Sequence, residues 1–329
     1  MRPRRLFGPE ITPALIRGRI LTRDTAGLKK GKILDDGDAS QLQSADEVHV
    51  VELGATEVHE DAAALRLGRA VAGPGVELSG PHQSQVRGAA RWRGLVRVAV
   101  PALVRLNRIP LTSVFTLVDG SAVEVGDDVV GAKVIPVAVP EATLARAEAV
   151  AQKAWPVVAV EPFRGLRAVV VVTERLKPRA RAIFSTAVTR KLGWYGANLL
   201  GIKEITRDSR AIAAAYRESA AEGAELILFA GASSIDPLDP AYRELAAAGG
   251  RVLAQGAPTH PGSMLWLGRL GGATVLGVAS CAGFGRNTSL DLMLPLVFAR
   301  GTASADDLRA LGHGGLIERG AGRQFPPYS

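Results

Sequence analysis

Leu166–Thr173 (LRAVVVVT) is the stretch of sequence on which the fold class depends. It is almost continuously apolar and contains four consecutive valines, Val169–Val172. An apolar run without polar alternation predicts a β-strand that is buried on both faces. Strands of that kind belong to parallel sheets covered by helices, so the run predicts an α/β domain.

The chain beyond this strand alternates between strand patterns and helix patterns. Strands are predicted at Asn198–Ile205, Glu225–Ala230, Val252–Gln255, Met264–Leu267 and Ala273–Val278. Helices are predicted at Ala180–Leu192, Ser209–Glu222, Pro240–Ala248 and about Thr288–Ala299. This alternation predicts a doubly wound, mostly parallel sheet. Because ligands of such sheets bind outside the carboxyl ends of the strands, the loops that follow strands are the candidate sites.

The first 162 residues are predicted to form a β-rich region with short helices. Strand-like segments are Val48–Leu53, Gly94–Pro101, Ser113–Val118 and Val129–Val139, and helical ones are His59–Val71 and Glu141–Lys153. Trp155–Pro162 contains proline near both ends and is interpreted as a connector. We therefore expect two domains, residues 1–162 and 163–329, which suits a chain of 329 residues.

The charge balance favours a small anionic ligand. Forty Lys and Arg residues against thirty-two Asp and Glu residues give a formal net charge of +8. The basic residues are scattered and aromatic residues make up only 5% of the chain, so the basic stripe with interleaved aromatic rings that marks nucleic-acid modules is missing. We expect no nucleic-acid partner, and a solvated basic surface is the alternative explanation for most of these charges.

The cysteine content and the apolar runs indicate a compartment. Cys281 is the only cysteine, which excludes an internal disulfide and a multi-cysteine metal site. Leu6–Leu15 contains two prolines and a glutamate and does not fit a signal-peptide core. The longest apolar runs are too short to span a bilayer. We therefore expect a cytoplasmic protein without a membrane partner.

The loop Phe229–Pro240 (FAGASSIDPLDP) is the first candidate site. Gly231 and Ala232 allow a ligand to approach the backbone, and Ser233 and Ser234 add hydroxyl groups. The aspartates of this loop are Asp236 and Asp239. Their carboxylates fit Mg²⁺ or the N–H groups of a heterocycle, and capping of the helix that begins at Pro240 is the alternative.

Three further loops follow predicted strands. Gln255–Met264 holds His260, Pro261, Gly262 and Ser263, with histidine as a phosphate or metal ligand or merely an exposed side chain. Val278–Thr288 holds Arg286 and Asn287, a pair suited to anion and amide recognition, and Cys281, which is either a reactive thiol or a packing residue. Thr206–Ser209 holds Asp208, which could equally cap a helix. Together the four loops predict one shared pocket for a small anion.

These loops resemble the molybdopterin-binding domain shared by molybdopterin molybdotransferases and molybdopterin adenylyltransferases. That family has the phrase Gly-Gly-x-Ser-x-Gly-x-x-Asp after a strand, and its positions are occupied here by Gly231, Ala232, Ser234, Asp236 and Asp239. Its Pro-Gly-Lys-Pro loop corresponds to Pro261, Gly262, Ser263 and Met264, and its Gly-Arg-Leu-Gly-Gly-like hairpin to Gly268–Gly272. Asn287 and Asp291 fit a divergent branch of the family.

The resemblance implies an α/β domain that binds molybdopterin or the molybdenum cofactor during biosynthesis of that cofactor. It further implies an oligomer, with molybdoenzymes or other biosynthesis proteins as partners. Asp208 and Asp239 would be the catalytic residues and would hold Mg²⁺, and whether ATP also binds is left open. Turnover would be molybdate insertion or adenylyl-type transfer. Because Ser263 stands where the family has a lysine, binding follows from the resemblance more directly than turnover does.

Two alternatives to a cofactor-synthesising transferase remain. One is a non-catalytic carrier or sensor in the same pathway, which the missing lysine and glycines favour. The other is an unrelated nucleotide-binding enzyme, but no G-x-G-x-x-G follows the first strand of the α/β domain and no G-x-x-x-x-G-K-[ST] occurs in the chain.

Overall fold

A computed structural model describes residues 1–82, 84–231, 236–279, 286–317 and residue 325. The chain divides into two compact units. The first comprises Met1–Trp92, Val96–Asp119 and Glu124–Val160, and the second comprises Arg93–Leu95, Gly120–Val123 and Glu161–Ser329. Among the described residues, no helix combines the length and apolar character that crossing a bilayer requires.

Residues 1–162 are rich in strands, as predicted, with short helices between them. The strands are β1 Arg2–Leu6, β2 Ile20–Leu21, β3 Val48–Glu52, β4 Glu57–His59, β5 Val76–His82, β6 Gln85–Ala90, β7 Gly94–Val98, β8 Thr112–Thr116, β9 Ala122–Val123, β10 Asp128–Val134, β11 Ala138–Pro140 and β12 Val158–Pro162. The helices are α1 Pro13–Ile16, α2 Ala39–Leu42, α3 Glu60–Val71, α4 Val100–Asn107 and α5 Glu141–Lys153.

The main sheet of the first unit is antiparallel, with the strand order β5-β6-β10-β8. Val86, Ala132 and Val114 are paired across it and buried on the face that α3 covers. Gly68 of α3 lies so close to β6 that a Cβ there would be 2.9 Å from Cγ1 of Val86. Side chains of the intervening residues point to the opposite face, since successive residues of a strand alternate between faces.

The second unit contains the predicted α/β sheet. Its strands are β13 Arg167–Val172, β14 Asn198–Glu204, β15 Leu226–Ala230, β16 Arg251–Gln255, β17 Trp266–Leu270 and β18 Ala273–Val278. Its helices are α6 Pro178–Trp194, α7 Ser209–Ala221, α8 Pro240–Ala247, α9 Ser289–Arg300 and α10 Ala305–Ala310. The strand order is β14-β13-β15-β18-β17-β16.

Four neighbouring strands, β14, β13, β15 and β18, are parallel, and β17 and β16 continue the sheet in antiparallel pairs. Both faces are covered. Ala168, Val170 and Val172 pack into a cluster with α6 and α9, whereas Val169 and Val171 pack into one with α7 and α8. The prediction of a doubly wound, mostly parallel α/β sheet is therefore confirmed.

Local predictions were wrong at several places. Val129–Val139 contains parts of two strands, β10 and β11, which belong to different sheets, and the strand predicted at Gly94–Pro101 ends at Val98, with α4 beginning at Val100. β17 begins at Trp266 and not at Met264, because Leu265 N–H closes a turn on the Gly262 carbonyl at 3.2 Å and keeps this stretch out of the sheet. Part of the connector Trp155–Pro162 is the strand β12, in which Val158 and Val160 are buried. Pro156 precedes this strand and Pro162 is its last residue, so neither stands where the strand donates a backbone hydrogen bond. The donor inside the strand is Val160 N–H, which is 2.9 Å from the Pro74 carbonyl oxygen.

Gly277 of β18 makes room for an indole ring and is expected to be intolerant of a side chain. Trp266 is its cross-strand partner, and a Cβ at Gly277 would lie 1.7 Å from Trp266 Nε1. We predict that Gly277→Ala lowers the free energy of unfolding by about 3 kcal/mol or more in urea denaturation, because an overpacked core must shift. Combining it with Trp266→Leu should give a smaller loss than the sum of the two.

Gly201 of β14 is the matched control, since a Cβ there meets nothing within 4 Å. Gly201→Ala is expected to change the free energy of unfolding by less than about 1 kcal/mol. Equal losses from Gly201→Ala and Gly277→Ala would contradict the packing described for Trp266.

Candidate functional site

The carboxyl ends of the parallel strands are joined where β15 leaves the sheet. Gly231, the residue after β15, donates its N–H to the Val278 carbonyl of β18 at 2.9 Å. It has a φ of +97°, and a Cβ there would lie 2.6 Å from Oγ1 of Thr173, the residue after β13. A residue without a side chain is therefore required where the ends of three strands meet.

A cavity of about 180 Å³ lies at this edge of the sheet. It is lined by His260, Pro261, Gly262, Ser263, Met264, Leu265, Val278, Ala279, Thr288 and Ser289. These residues come from the loop between β16 and β17, the end of β18 and the start of α9. β16 is antiparallel to β17, which is antiparallel to β18, so the carboxyl end of β16 lies at the same edge as that of β18.

The Pro261–Ser263 turn is attached to the first residue of α9. Ser289 Oγ donates a 2.6 Å hydrogen bond to the Gly262 carbonyl, and Ser289 N–H donates a 3.3 Å bond to the Pro261 carbonyl. Gly262 has a φ of +112°, and a Cβ there would lie 2.4 Å from Ser289 Oγ. The contact between turn and helix thus depends on glycine at this position.

The backbone of His260 is fixed on the other side by a segment near the end of the described chain. His260 N–H donates to the Gly315 carbonyl at 2.7 Å, and Ile317 N–H donates to the His260 carbonyl at 2.9 Å. Ala257 N–H also donates to the Ser263 carbonyl at 2.9 Å, which closes the loop on itself. Sequence reasoning did not identify residues 315–317 as part of this region.

A buried ion pair lies behind the start of α9. Lys191 Nζ of α6 is 2.6 Å from a carboxylate oxygen of Asp291, and the side chains are 4% and 0% exposed. Asp291 also accepts the N–H of Thr288 at 2.7 Å and forms a capping box with it. Lys191 Nζ lies 3.5 Å from the Arg286 carbonyl. One lysine therefore holds both the first turn of α9 and the segment before it.

The sequence carried a signal for this pair that sequence reasoning missed. Lys191 lies one residue before buried Leu192 and three residues after buried Val188, on the apolar face of α6. A charged residue among buried positions of a helix requires a buried partner. Asp291 was noted only as part of the phrase NTSLD, and the contact joins positions that are 100 residues apart.

Asp239 forms an N-cap and an ion pair, with both carboxylate oxygens engaged. Oδ1 accepts the Ala241 N–H of α8 at 2.9 Å, and Oδ2 is 2.5 Å from the Arg207 guanidinium. The side chain of Asp239 is 1% exposed. Burial, with the nearby charges of Asp239 and Asp236, raises the pKa of Tyr242 to about 12.

Asp208 and Asp236 also organise their own loops. Asp208 caps α7 by accepting the Ala211 N–H at 2.9 Å, and its pKa is lowered by the Thr206 hydroxyl and then by backbone N–H groups. Asp236 Oδ1 accepts the Leu238 N–H at 2.9 Å. The capping alternative is thus what the structure shows for Asp208 and Asp239.

The structure brings together some of the predicted site residues and separates others. His260, Pro261, Gly262 and Ser263 line the cavity, whereas Asp208, Asp236 and Asp239 do not. Arg286 and Asn287 directly precede Thr288, which lines it. Ala232, Ser233, Ser234 and Cys281 lie outside the described residues. Within the described ranges, no three His, Cys, Asp or Glu side chains converge as a metal site would require.

Comparison with known proteins gives structural neighbours only. No family model and no curated protein matches the chain. Similar solved structures include the molybdopterin biosynthesis enzyme MoaB from Thermus thermophilus, at 15% identity over 42% of this chain and 98% of that one, with a TM-score of 0.30. The molybdopterin biosynthesis MoeA protein from Pyrococcus horikoshii has 15% identity over 74% of this chain and 80% of that one, with a TM-score of 0.31.

A third neighbour is the molybdopterin biosynthesis Mog protein from Mycobacterium ulcerans, with 13% identity over 40% of this chain and 94% of that one and a TM-score of 0.28. All three neighbours are named for molybdopterin biosynthesis. TM-scores of 0.28 to 0.31 do not establish a family, and the fold class is given by the sheet topology itself.

The buried ion pair is predicted to be costly to break and much less costly to replace. Lys191→Met should lower the free energy of unfolding by about 3–5 kcal/mol, because Asp291 is left buried without its cation. Lys191→Met with Asp291→Asn should recover a large part of that loss, since asparagine keeps the bond to Thr288 N–H without the charge. Urea denaturation measures both effects.

Lys203 is the matched control, because its ion pairs with Glu218 and Glu222 involve carboxylates that are 60% and 43% exposed. Lys203→Met should cost no more than about 1 kcal/mol. A loss from Lys191→Met as small as that from Lys203→Met would contradict the assignment of a buried pair.

Proposed function

We propose that the cavity at the carboxyl edge of the α/β sheet binds molybdopterin, and that the protein acts in biosynthesis of the molybdenum cofactor. The observation that carries the proposal is the position of the cavity. It lies where doubly wound sheets bind ligands, and it is formed by the Pro261–Ser263 turn that resembles the Pro-Gly-Lys-Pro loop of molybdopterin-binding domains.

The lining of the cavity suits a flat heterocycle with a phosphate. Met264, Leu265 and Val278 provide an apolar wall for a ring, as ligand pockets commonly do. The Ser263 hydroxyl supplies a polar group at the rim. The guanidinium of Arg286, an exposed residue two positions before Thr288, would pair with the terminal phosphate. His260 and Asn287 are the further polar candidates beside the ring.

Binding without turnover is the second candidate function, and the contacts of Asp239 favour it. A Mg²⁺ ion at this carboxylate would have to displace the Arg207 guanidinium from Oδ2 or the helix N–H from Oδ1. Asp208 likewise already caps a helix. A carrier that holds the cofactor and passes it to a molybdoenzyme needs no such displacement. Molybdate insertion or ATP-dependent adenylyl transfer that used Asp208 and Asp239 as catalytic residues would need it.

The cytoplasmic location, expected from the cysteine content and the apolar runs of the sequence, and the homo-oligomer, expected from the resemblance, belong to the same proposal. The division into a β-rich region of residues 1–162 and a molybdopterin-binding domain of residues 163–329 belongs to the proposal as well. Gel filtration and fractionation address the first two directly.

Calorimetric titration of the protein with purified molybdopterin under anaerobic conditions tests the proposed site. Gly262→Ala should weaken binding by about tenfold or more, because its Cβ would meet Ser289 Oγ at 2.4 Å and push the turn away from α9. Gly249→Ala is the matched control: Gly249 also has a positive φ, +83°, but a Cβ there meets nothing within 4 Å. Wild-type protein that binds no molybdopterin would remove the proposed function, and equal binding by both variants would remove the site.

Asp239→Asn separates the two candidate functions. Asparagine retains an N-cap oxygen for α8, and Asp239 does not line the cavity, so molybdopterin binding should change by less than about threefold. The same samples are then given molybdate or ATP with Mg²⁺, and the product is analysed by chromatography. Conversion by the wild type that is lost in Asp239→Asn identifies a transferase, whereas binding without conversion identifies a carrier.

A further inference from the structure

A second group of basic side chains lies on the exposed face of the four-stranded sheet in the first unit. Lys133 of β10 is paired with Gln85 of β6, and Gln85 is paired with His82 of β5. Two residues further along β6, Arg87 is paired with Ser79. Directly paired residues point to the same face, and so do residues two apart on a strand. The register therefore places these five side chains side by side.

They line a cavity of about 230 Å³ together with Lys30 and Gly80. Its residues are Lys30, Ser79, Gly80, His82, Gln85, Arg87 and Lys133, and no carboxylate is among them. Three basic side chains and one histidine thus surround a small space. Like charges at such spacing repel one another, and a bound anion would relieve the repulsion.

Nearby acidic groups leave these cations largely uncompensated. Asp128 is 3.4 Å from Arg87, but the two side chains are 60% and 62% exposed, where an ion pair contributes little. Asp24 binds the ammonium of Lys29 at 2.8 Å and only the main-chain N–H of Lys30, at 2.9 Å. No ion pair joins Lys30 or Lys133 to a carboxylate in the part of the chain that the structure describes.

A bulge in β5 aligns this group. The pairing with β6 shifts between Ser79 and His82, which brings His82 opposite Gln85. Gly80 lies in the bulge with a φ of +97°, and a Cβ there would be 3.0 Å from the Gln85 carbonyl oxygen and from His82 N. Bulges of this type change the direction of a side chain and recur beside functional sites.

A second cavity adjoins the first and is mostly apolar. It has a volume of about 280 Å³ and shares Gln85 and Arg87 with the basic cavity. Its wall includes Phe115, whose side chain is 46% exposed on the same face of the sheet. A Cβ at Gly131 would lie 2.2 Å from Cε2 of Phe115, so the ring rests directly on the backbone of β10. One face of the sheet therefore has a cavity lined by basic side chains next to an exposed aromatic ring.

We propose that this face of the first unit binds a small phosphorylated molecule that carries an aromatic ring. Arg87 and Lys133 contact the phosphoryl group through charge-assisted hydrogen bonds, with the Ser79 hydroxyl and Gln85 amide as further donors. The ring of the ligand packs on Phe115. The site shares no lining residue with the cavity proposed for molybdopterin and does not depend on that proposal.

Calorimetric titration of the full chain with phenyl phosphate and with inorganic phosphate, at low ionic strength, tests this site. Phenyl phosphate should bind more tightly than inorganic phosphate, because only the former reaches Phe115. Lys133→Gln and Arg87→Gln should each raise the Kd for phenyl phosphate by about tenfold or more. Phe115→Ser should remove the advantage of phenyl phosphate and leave the Kd for inorganic phosphate within about twofold.

Lys153→Gln on α5 and Arg105→Gln on α4 are the controls, since both remove one positive charge from exposed positions of the same unit outside the two cavities. Each should leave the Kd within about twofold of the wild type. The proposal is overturned if phenyl phosphate does not bind, or if the controls weaken binding as much as Lys133→Gln does. It is also overturned if a single-stranded oligonucleotide binds in competition with, and more tightly than, phenyl phosphate.

Discussion

The parallel pairing of β13 with β14 and β15, and of β15 with β18, is the constraint on which the second unit depends. Ala168–Val172 are all buried, and β13 is hydrogen-bonded on both sides, so these strands cannot slide without exposing core residues. Parallel strands end at one edge of the sheet, and the helices that return the chain begin there. The carboxyl ends of β13, β15 and β18 consequently meet, and Gly231, the residue after β15, contacts the ends of the other two strands.

The shape of the cavity at that edge depends on polar contacts that hold the surrounding backbone segments in position. The turn at Gly262 is attached to Ser289, and the first turn of α9 is fixed by Asp291 and its ion pair with Lys191. A buried ion pair offsets its own desolvation only in part, and this one joins α6 to the first turn of α9. The cavity wall can therefore stay apolar while its shape is determined by polar groups behind it.

The fold of the second unit could be predicted largely from the sequence, because it follows from local pattern. The continuous apolar run at Leu166–Thr173 indicated a strand buried on both faces, and Glu225–Ala230 indicated a further strand. Proline and aspartate marked the start of α8. The start of β17 was misplaced because Met264 and Leu265 are apolar for another reason, the wall of the cavity. An apolar residue does not reveal from sequence alone which surface it covers.

The site was less predictable because it depends on contacts between distant residues. The turn at His260–Ser263 was identified from its own sequence, and the structure places it in the cavity lining. The bonds between His260 and residues 315–317 and the Lys191–Asp291 pair join segments that no local pattern connects. For Asp208 and Asp239 the sequence allowed either capping or a role at a ligand. A helix cap requires only the N–H groups of residues nearby in the sequence. A ligand contact requires the carboxylate to reach the cavity, and the spacing of residues along the sequence does not determine that.

We expect the loop between β16 and β17, together with the start of α9, to form the ligand site of the second unit. Hydrogen–deuterium exchange of the full chain with and without molybdopterin, under anaerobic conditions, tests this site. Exchange should slow at residues 257–265 and 288–292 when the ligand is bound, with little change across β13 and β15. Unchanged exchange in those two segments, with protection appearing elsewhere in the chain, would contradict it.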